Sequence, residues 1–132
     1  MPKRILLALV MLLLPLSACT QISVTEPTPP PSSGIEGWVT IGPVCPGPVL
    51  VGDTHCQDQP YQATISILDA DNQEATRVQS SMEGYFKLPL PAGEYTLHPI
   101  SGSPLPQASD QIVNVTADQY TGVKISYDTG MR

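Results

Sequence analysis

Proline is the strongest constraint on this chain. Fifteen prolines and ten glycines are spread over 132 residues, and a proline inside a helix removes a backbone hydrogen bond and costs about 3 kcal/mol. No ten-residue stretch after residue 18 carries a convincing helical repeat of apolar side chains. The sequence offers instead short runs of period two, separated by turn-forming residues. Residues 62–69 alternate, with Ala63, Ile65 and Ile67 on one face and Thr64 and Ser66 on the other. Residues 85–90 put Phe86, Leu88 and Leu90 on one side; Pro91-Ala92-Gly93 then turns the chain, and residues 94–100 return with Tyr95 and Leu97 together. Residues 120–127 align Val123, Ile125 and Tyr127. Further strands are expected at 35–41, at 110–116 and, more polar and near an edge, at 74–80. Seven short strands predict an all-β fold, a single seven-stranded β-sandwich. With one tryptophan, one phenylalanine and five tyrosines, its core must rest mainly on Ile, Val and Leu.

The first eighteen residues read differently. Lys3 and Arg4 precede an apolar run, Ile5 to Leu14, that is broken by Pro15. The run is about half the ~20 residues that span a bilayer, so it reads as a removable leader and not as a permanent transmembrane helix. Leu16-Ser17-Ala18-Cys19 resembles the lipobox of bacterial lipoproteins. The resemblance implies cleavage between Ala18 and Cys19, a diacylglyceryl thioether on Cys19 and often an acylated new amino terminus; an ordinary signal peptide with a cysteine near its cleavage site is the alternative. Two or three acyl chains, each contributing about 0.8 kcal/mol per buried methylene, would hold the protein at the membrane. Thr20 follows the cysteine, in place of the aspartate that marks inner-membrane retention in some double-membraned bacteria. The expected location is therefore the outer membrane where the cell has one, and otherwise the outer face of the cytoplasmic membrane.

Residues 19–33 are the lipidated terminus and a proline-rich tether. From Thr20 to Ser33 there is little to bury, and the prolines favour an extended polyproline II shape with a reach on the order of 40 Å. Residues 34–132 are the domain. Loss of Lys3 and Arg4 with the leader leaves four basic residues against twelve acidic ones, a net charge of −8. Such a chain has no basic footprint for DNA or RNA, and its surface gives no electrostatic help towards anionic lipid. Membrane attachment falls to the lipid on Cys19.

The run from Ser81 to Leu97, with Gly84-Tyr85-Phe86 and then Leu90-Pro91-Ala92-Gly93-Glu94-Tyr95-Thr96-Leu97, resembles carboxypeptidase regulatory-like domains. Those modules carry Asp-x-x-Gly-x-Phe followed by Leu-Pro-x-Gly-x-Tyr-x-Leu. Gly37-Trp38-Val39 and residues 63–68 fit their opening strands, so the resemblance covers about residues 34–127. It implies a transthyretin-like, Greek-key sandwich of seven strands and a generally non-catalytic module. Gly84 and Gly93 are expected to take positive φ at turns, and Phe86, Leu88, Leu90, Tyr95 and Leu97 to form one continuous core face. Ser81 stands near where the family favours aspartate, and an insert at 42–60 separates the first two strands.

That insert carries Cys45 and Cys56. Outside the cytoplasm, with Cys19 committed to lipid, they are the remaining pair and are expected to form a disulfide, with two free thiols as the alternative. The loop they close is a candidate recognition surface; protection of an exposed loop from proteases explains the bond equally well. His55 beside Cys56 lacks the ligand spacing of a zinc site. Asp69 to Glu74 looks like a calcium loop but has neither its central glycine nor its distant glutamate, so a turn is expected. His98, the second histidine, is expected at the surface or its boundary, and no nucleophile motif surrounds either histidine. Lys87 and Lys124 lie on strands with no acidic partner identifiable for an isopeptide bond, and Asn114-Val115-Thr116 reads as strand despite matching a glycosylation sequon. No catalytic residue, metal or cofactor is expected. The reading is a lipid-anchored, non-enzymatic envelope module for binding or structure, with a protein or glycan partner. An accessory subunit that positions a transporter or enzyme is the alternative, and a hydrolase comes third.

Overall fold

The computed structural model describes residue 25 and residues 27–48 and 50–131; the leader and Cys19 lie outside the described residues. Two four-stranded sheets face each other, and every element among the described residues is a strand. β1 (Gly34–Gly42) pairs on one side with β5 (Tyr85–Pro89) and β2 (Gln59–Pro60), and on the other with β8 (Tyr120–Asp128). The second sheet runs β4 (Glu74–Gln79), β3 (Thr64–Leu68), β6 (Gly93–Pro99), β7 (Gln111–Val115). The all-β sandwich expected from the alternation is the fold, and seven of its strands fall where the period-two runs place them.

The eighth strand, β2, arises from the insert. β5 covers its edge of β1 only from Gly34 to Trp38, which leaves Thr40 and Ile41 without a ladder on that side. Gln59 and Pro60 fill that gap, pairing with Ile41 and Thr40. Pro60 has no N–H to donate, which suits a two-residue strand at the rim of a sheet. A second difference concerns residues 85–97. Their spacing suggests a hairpin with one continuous core face, but β5 belongs to one sheet and β6 to the other. Residues 90–92 form an arch across the core, so Phe86 and Leu90 face Leu97 from opposite layers.

The core is built from Ile35, Val39, Ala63, Ile65, Ile67, Phe86, Leu90, Leu97, Val115, Ile125 and Tyr127, which is largely the aliphatic set the alternation picks out. Three buried serines accompany them. Ser33 Oγ donates to Leu90 O at 2.7 Å, Ser80 Oγ donates to Tyr61 O and accepts from Ala63 N, both at 2.9 Å, and Ser66 Oγ donates to Glu74 Oε2 at 2.5 Å. Each hydroxyl is thereby matched, as burial of a polar group requires. The bond from Ser66, with help from Arg77, holds the Glu74 carboxyl below its ordinary pKa. Gly84 sits at φ 83°, a conformation that favours glycine; its carbonyl accepts from Val39 N at 2.8 Å and ties the turn to β1. Ser81 Oγ accepts from Tyr85 N at 3.3 Å in the same turn. The acidic run after β3 is a turn: Asp69 Oδ1 accepts from Asp71 N and Gln73 N, and Asn72 takes φ 57°.

Cys45 and Cys56 are joined by a disulfide, with their Cα atoms 5.3 Å apart. The loop leaves from the Gly42 end of β1. The polypeptide enters the domain at the other end, where Ser33 bonds to Leu90 and Ser32 Oγ donates to Asp118 Oδ1 at 2.6 Å. Nine residues of strand span roughly 30 Å, so the disulfide loop and the entering chain occupy opposite ends of β1.

Two stability measurements check this packing. Phe86 is 2% exposed, and Phe86→Ala is expected to lower the unfolding free energy by about 3–5 kcal/mol in urea denaturation; a change below about 0.5 kcal/mol would place the ring outside the core. Replacing Cys45 and Cys56 together by serine is expected to cost up to about 3 kcal/mol, the chain-entropy value for so short a loop. Peptide mapping of protein produced in an oxidising compartment should show the linked pair, and two alkylatable thiols would contradict it.

Candidate functional site

Strand alternation decides which side chains of β1 leave the core. Ile35, Gly37, Val39 and Ile41 point inward, so Glu36, Trp38 and Thr40 point outward. Tyr85 and Lys87 of β5 join them from one side, and Tyr120, Gly122, Lys124 and Ser126 of β8 from the other. The ladder sets these in rows: Tyr85, Trp38, Lys124 in one, and Lys87, Glu36, Gly122 in the next.

The outer face of this sheet is ordered by its own contacts. Trp38 is 55% exposed, and its ring lies 5.1 Å from that of Tyr85 at 55°. Tyr85 Oη donates to Glu36 Oε2 at 3.1 Å, and the same carboxylate pairs with Lys87 Nζ at 3.6 Å. That ammonium in turn lies 4.2 Å above the Tyr120 ring. Reduced solvation and the Glu36 carboxylate push the Tyr85 phenol above its ordinary pKa. An aromatic pair is worth about 0.5–1.5 kcal/mol and an exposed ion pair about 0–1 kcal/mol. These contacts position the side chains but hardly account for an indole left half in water.

Gly122 creates a depression in this face. A Cβ there would meet nothing within 4 Å, so the β8 backbone forms an open floor beside the Trp38 ring. The resulting groove, about 360 Å³, is lined by Glu36, Gly37, Trp38, Tyr85, Gly122 and Val123. Beneath it the two strands lie close: a Cβ on Gly37 would collide with the Val123 carbonyl. Lys124, next to Trp38 in the ladder, is in no ion pair among the described residues.

The residues singled out in the sequence fall elsewhere. Cys45 and Cys56 close the loop at the end of β1, with Leu50 and Val51 exposed on it. His55 lies on the same loop, its amide donating to Asp53 Oδ1 at 2.9 Å. His98 is a surface residue whose Nδ1 lies 2.7 Å from Asp110 Oδ1. Among the described residues no three His, Cys, Asp or Glu side chains converge as a metal site would need. Lys87 does have an acidic neighbour, Glu36, but both are well exposed. An isopeptide bond needs the neutral amine that burial would enforce. Asn114 sits on β7 with core Val115 following it. The Trp38 groove has no counterpart among the sequence candidates. Its signal was available: Trp38 shares its parity with Glu36 and Thr40, not with Ile35, Val39 and Ile41.

No protein-family model matches the chain, and no curated protein matches it in sequence. Solved structures with similar architecture include GBS52, the minor pilin of the Gram-positive pathogen Streptococcus agalactiae. It is 14% identical with a TM-score of 0.55, over 78% of this chain and 47% of the pilin. They also include the Bacillus anthracis TIE protein, 17% identical with a TM-score of 0.47, over 70% of this chain and 16% of that one. The chain thus spans about half the length of the pilin and a smaller part of the TIE protein. At such identities the likeness to the pilin is one of fold: this chain carries a β-sandwich of the kind found in that minor pilin.

Proposed function

We propose that this protein is a lipid-anchored, non-catalytic binding module of the cell envelope. In this reading the leader, residues 1–18, is cut before Cys19, and lipid on Cys19 holds the chain at the membrane. Residues 19–33 act as the spacer, and the domain that follows presents its outer sheet face to a partner. The observation that carries the binding role is the half-exposed Trp38, stacked on Tyr85 over an open floor at Gly122. Large aromatic side chains held rigid on a strand lose little entropy when a ligand covers them, which suits recognition more than solubility.

The anchoring part rests on the leader, its apolar length and Leu16-Ser17-Ala18-Cys19. A disulfide between Cys45 and Cys56 agrees with export to an oxidising compartment. The fold shared with a minor pilin agrees with a structural or binding role at the cell surface. The outer membrane is the proposed destination where the cell has one.

Cys19→Ser tests the anchor. The variant is expected to accumulate as uncleaved precursor or as a soluble exported form, and to lose incorporation of labelled fatty acid. If it still fractionates with membranes after high-salt and carbonate washing and still takes up label, the proposed anchor is wrong.

A further inference from the structure

We infer that the groove beside Trp38 binds a carboxylate-bearing glycan, with a sugar ring against the indole and its carboxylate at Lys124. The inference rests on the binding role proposed above and specifies the ligand class for that same face.

Shape is the first argument. Along β8 the outward residues begin with Tyr120, Gly122 and Lys124, and the glycine leaves a gap between the first and third side chains. The gap between its flanking residues is about 13 Å at the rise of an extended strand, room for roughly two sugar rings laid along the strand. Trp38 and Tyr85 form one wall, and Tyr120 with Lys87 above it closes one end. The groove volume, about 360 Å³, lies at the small-molecule end of binding cavities. A protein partner would need ~800 Å² of this surface with a continuous apolar centre, and here Glu36, Lys87 and Lys124 stand among the aromatic side chains.

Chemistry is the second. A pyranose presents C–H groups on its ring face and hydroxyls round its edge. The groove answers both, with the indole face for the C–H groups and, for the hydroxyls, the Glu36 carboxylate and Tyr85 hydroxyl of its lining, the Tyr85 hydroxyl and the Lys87 ammonium both touching that carboxylate. Glu36 already orders the latter two, at 3.1 and 3.6 Å, so they are set in place before a ligand arrives.

Charge is the third, and it selects an acidic sugar. Beyond the leader the sequence has twelve acidic residues and only two lysines, Lys87 and Lys124. Both are on this face. Lys87 is paired with Glu36, whereas Lys124 is in no ion pair among the described residues. A neutral sugar would leave that ammonium unused; a ring carboxylate would form a charge-assisted hydrogen bond with it.

The test uses the mature lipidated chain extracted from membranes in detergent, with galacturonate, mannuronate and hyaluronate tetrasaccharides as probes and maltotetraose as the neutral comparison. Trp38 is the only tryptophan of the chain, so its fluorescence reports this groove alone, and calorimetry gives affinity where the indole is absent. At least one uronate is expected to change the fluorescence saturably and to bind more tightly than maltotetraose. Trp38→Ala and Gly122→Val, which fills the open floor, should each weaken that binding about tenfold or more. Lys124→Gln should weaken the uronate about tenfold and leave the neutral sugar unchanged. All three positions face solvent, and unchanged far-ultraviolet spectra confirm that the variants fold. No saturable response to any uronate overturns the inference, as does equal affinity for neutral and acidic sugars that Lys124→Gln does not alter. Protection of Trp38 by a protein partner in cells, with no saccharide binding, also overturns it. None of these results touches the Cys19 anchor, whose failure is read separately in the membrane fraction of Cys19→Ser.

Discussion

The parallel pairing of β1 with β8 is the contact on which the rest of the structure depends. Nine residues of each strand are in register, from Gly34 opposite Tyr120 to Gly42 opposite Asp128. The partners are 86 residues apart in sequence, as the hydroxyl contact between Thr40 and Ser126 marks. Closing a loop of that length costs on the order of 4 kcal/mol before any contact is gained. The pairing recovers it by bringing Ile35 and Val39 beside Ile125 and Tyr127 at the centre of the core. It also decides the outer face. Had β8 paired one residue out of step, every inward side chain of that strand would have turned outward, and Lys124 would not stand beside Trp38.

Several features protect this junction. Gly37 lets the Val123 carbonyl come close to β1, where a side chain would hold it away. Tyr127 is buried against the edge of the Tyr61 ring, at 5.0 Å, and donates its hydroxyl to Ile100 O at 2.8 Å. Burial and the neighbouring Tyr61 push that phenol up to about 12, so it remains a donor throughout the physiological range. Beyond it, Gln107 and Asp128 exchange backbone hydrogen bonds at 3.1 and 2.7 Å, and Thr129 Oγ1 donates to Pro43 O at 2.6 Å. The proline-rich loop after β6, the end of β8 and the start of the disulfide loop are thereby tied together at one end of the sandwich. At the other end Ser33 fixes the entering chain to Leu90. The aromatic groove lies between the two, on a sheet held from both ends.

Much of this was legible in the sequence because it is local. Period-two alternation located seven strands, and it named Phe86, Leu97, Ile125 and Tyr127 as inward residues. The Asp69 turn could be read because an aspartate side chain satisfies its own neighbouring amides. The disulfide was expected because assigning Cys19 to lipid leaves Cys45 and Cys56, eleven residues apart in one insert, to pair. Long-range information was not legible in the same way. Alternation says which residues of a strand share a face but not which sheet the strand joins, and so residues 85–97 look like a hairpin when they bridge the two layers. β2 could not be foreseen from Gln59-Pro60 itself, because its reason lies in the uncovered backbone of Thr40 and Ile41. The groove is a middle case. The outward parity of Trp38 is local, but the gap at Gly122 gains meaning only once β8 lies beside β1.

β1 and β8 run parallel in this register, with Trp38 outward. Proton–proton distances across the two strands test it most directly, measured by nuclear Overhauser spectroscopy on isotope-labelled protein. Interstrand contacts are expected between the backbones of Gly37 and Val123, and side-chain contacts of the Trp38 indole with Tyr85 but with none of Ile65, Ile67 or Leu97. Contacts between the indole and those core residues, or a β1–β8 register displaced by one residue, would contradict it.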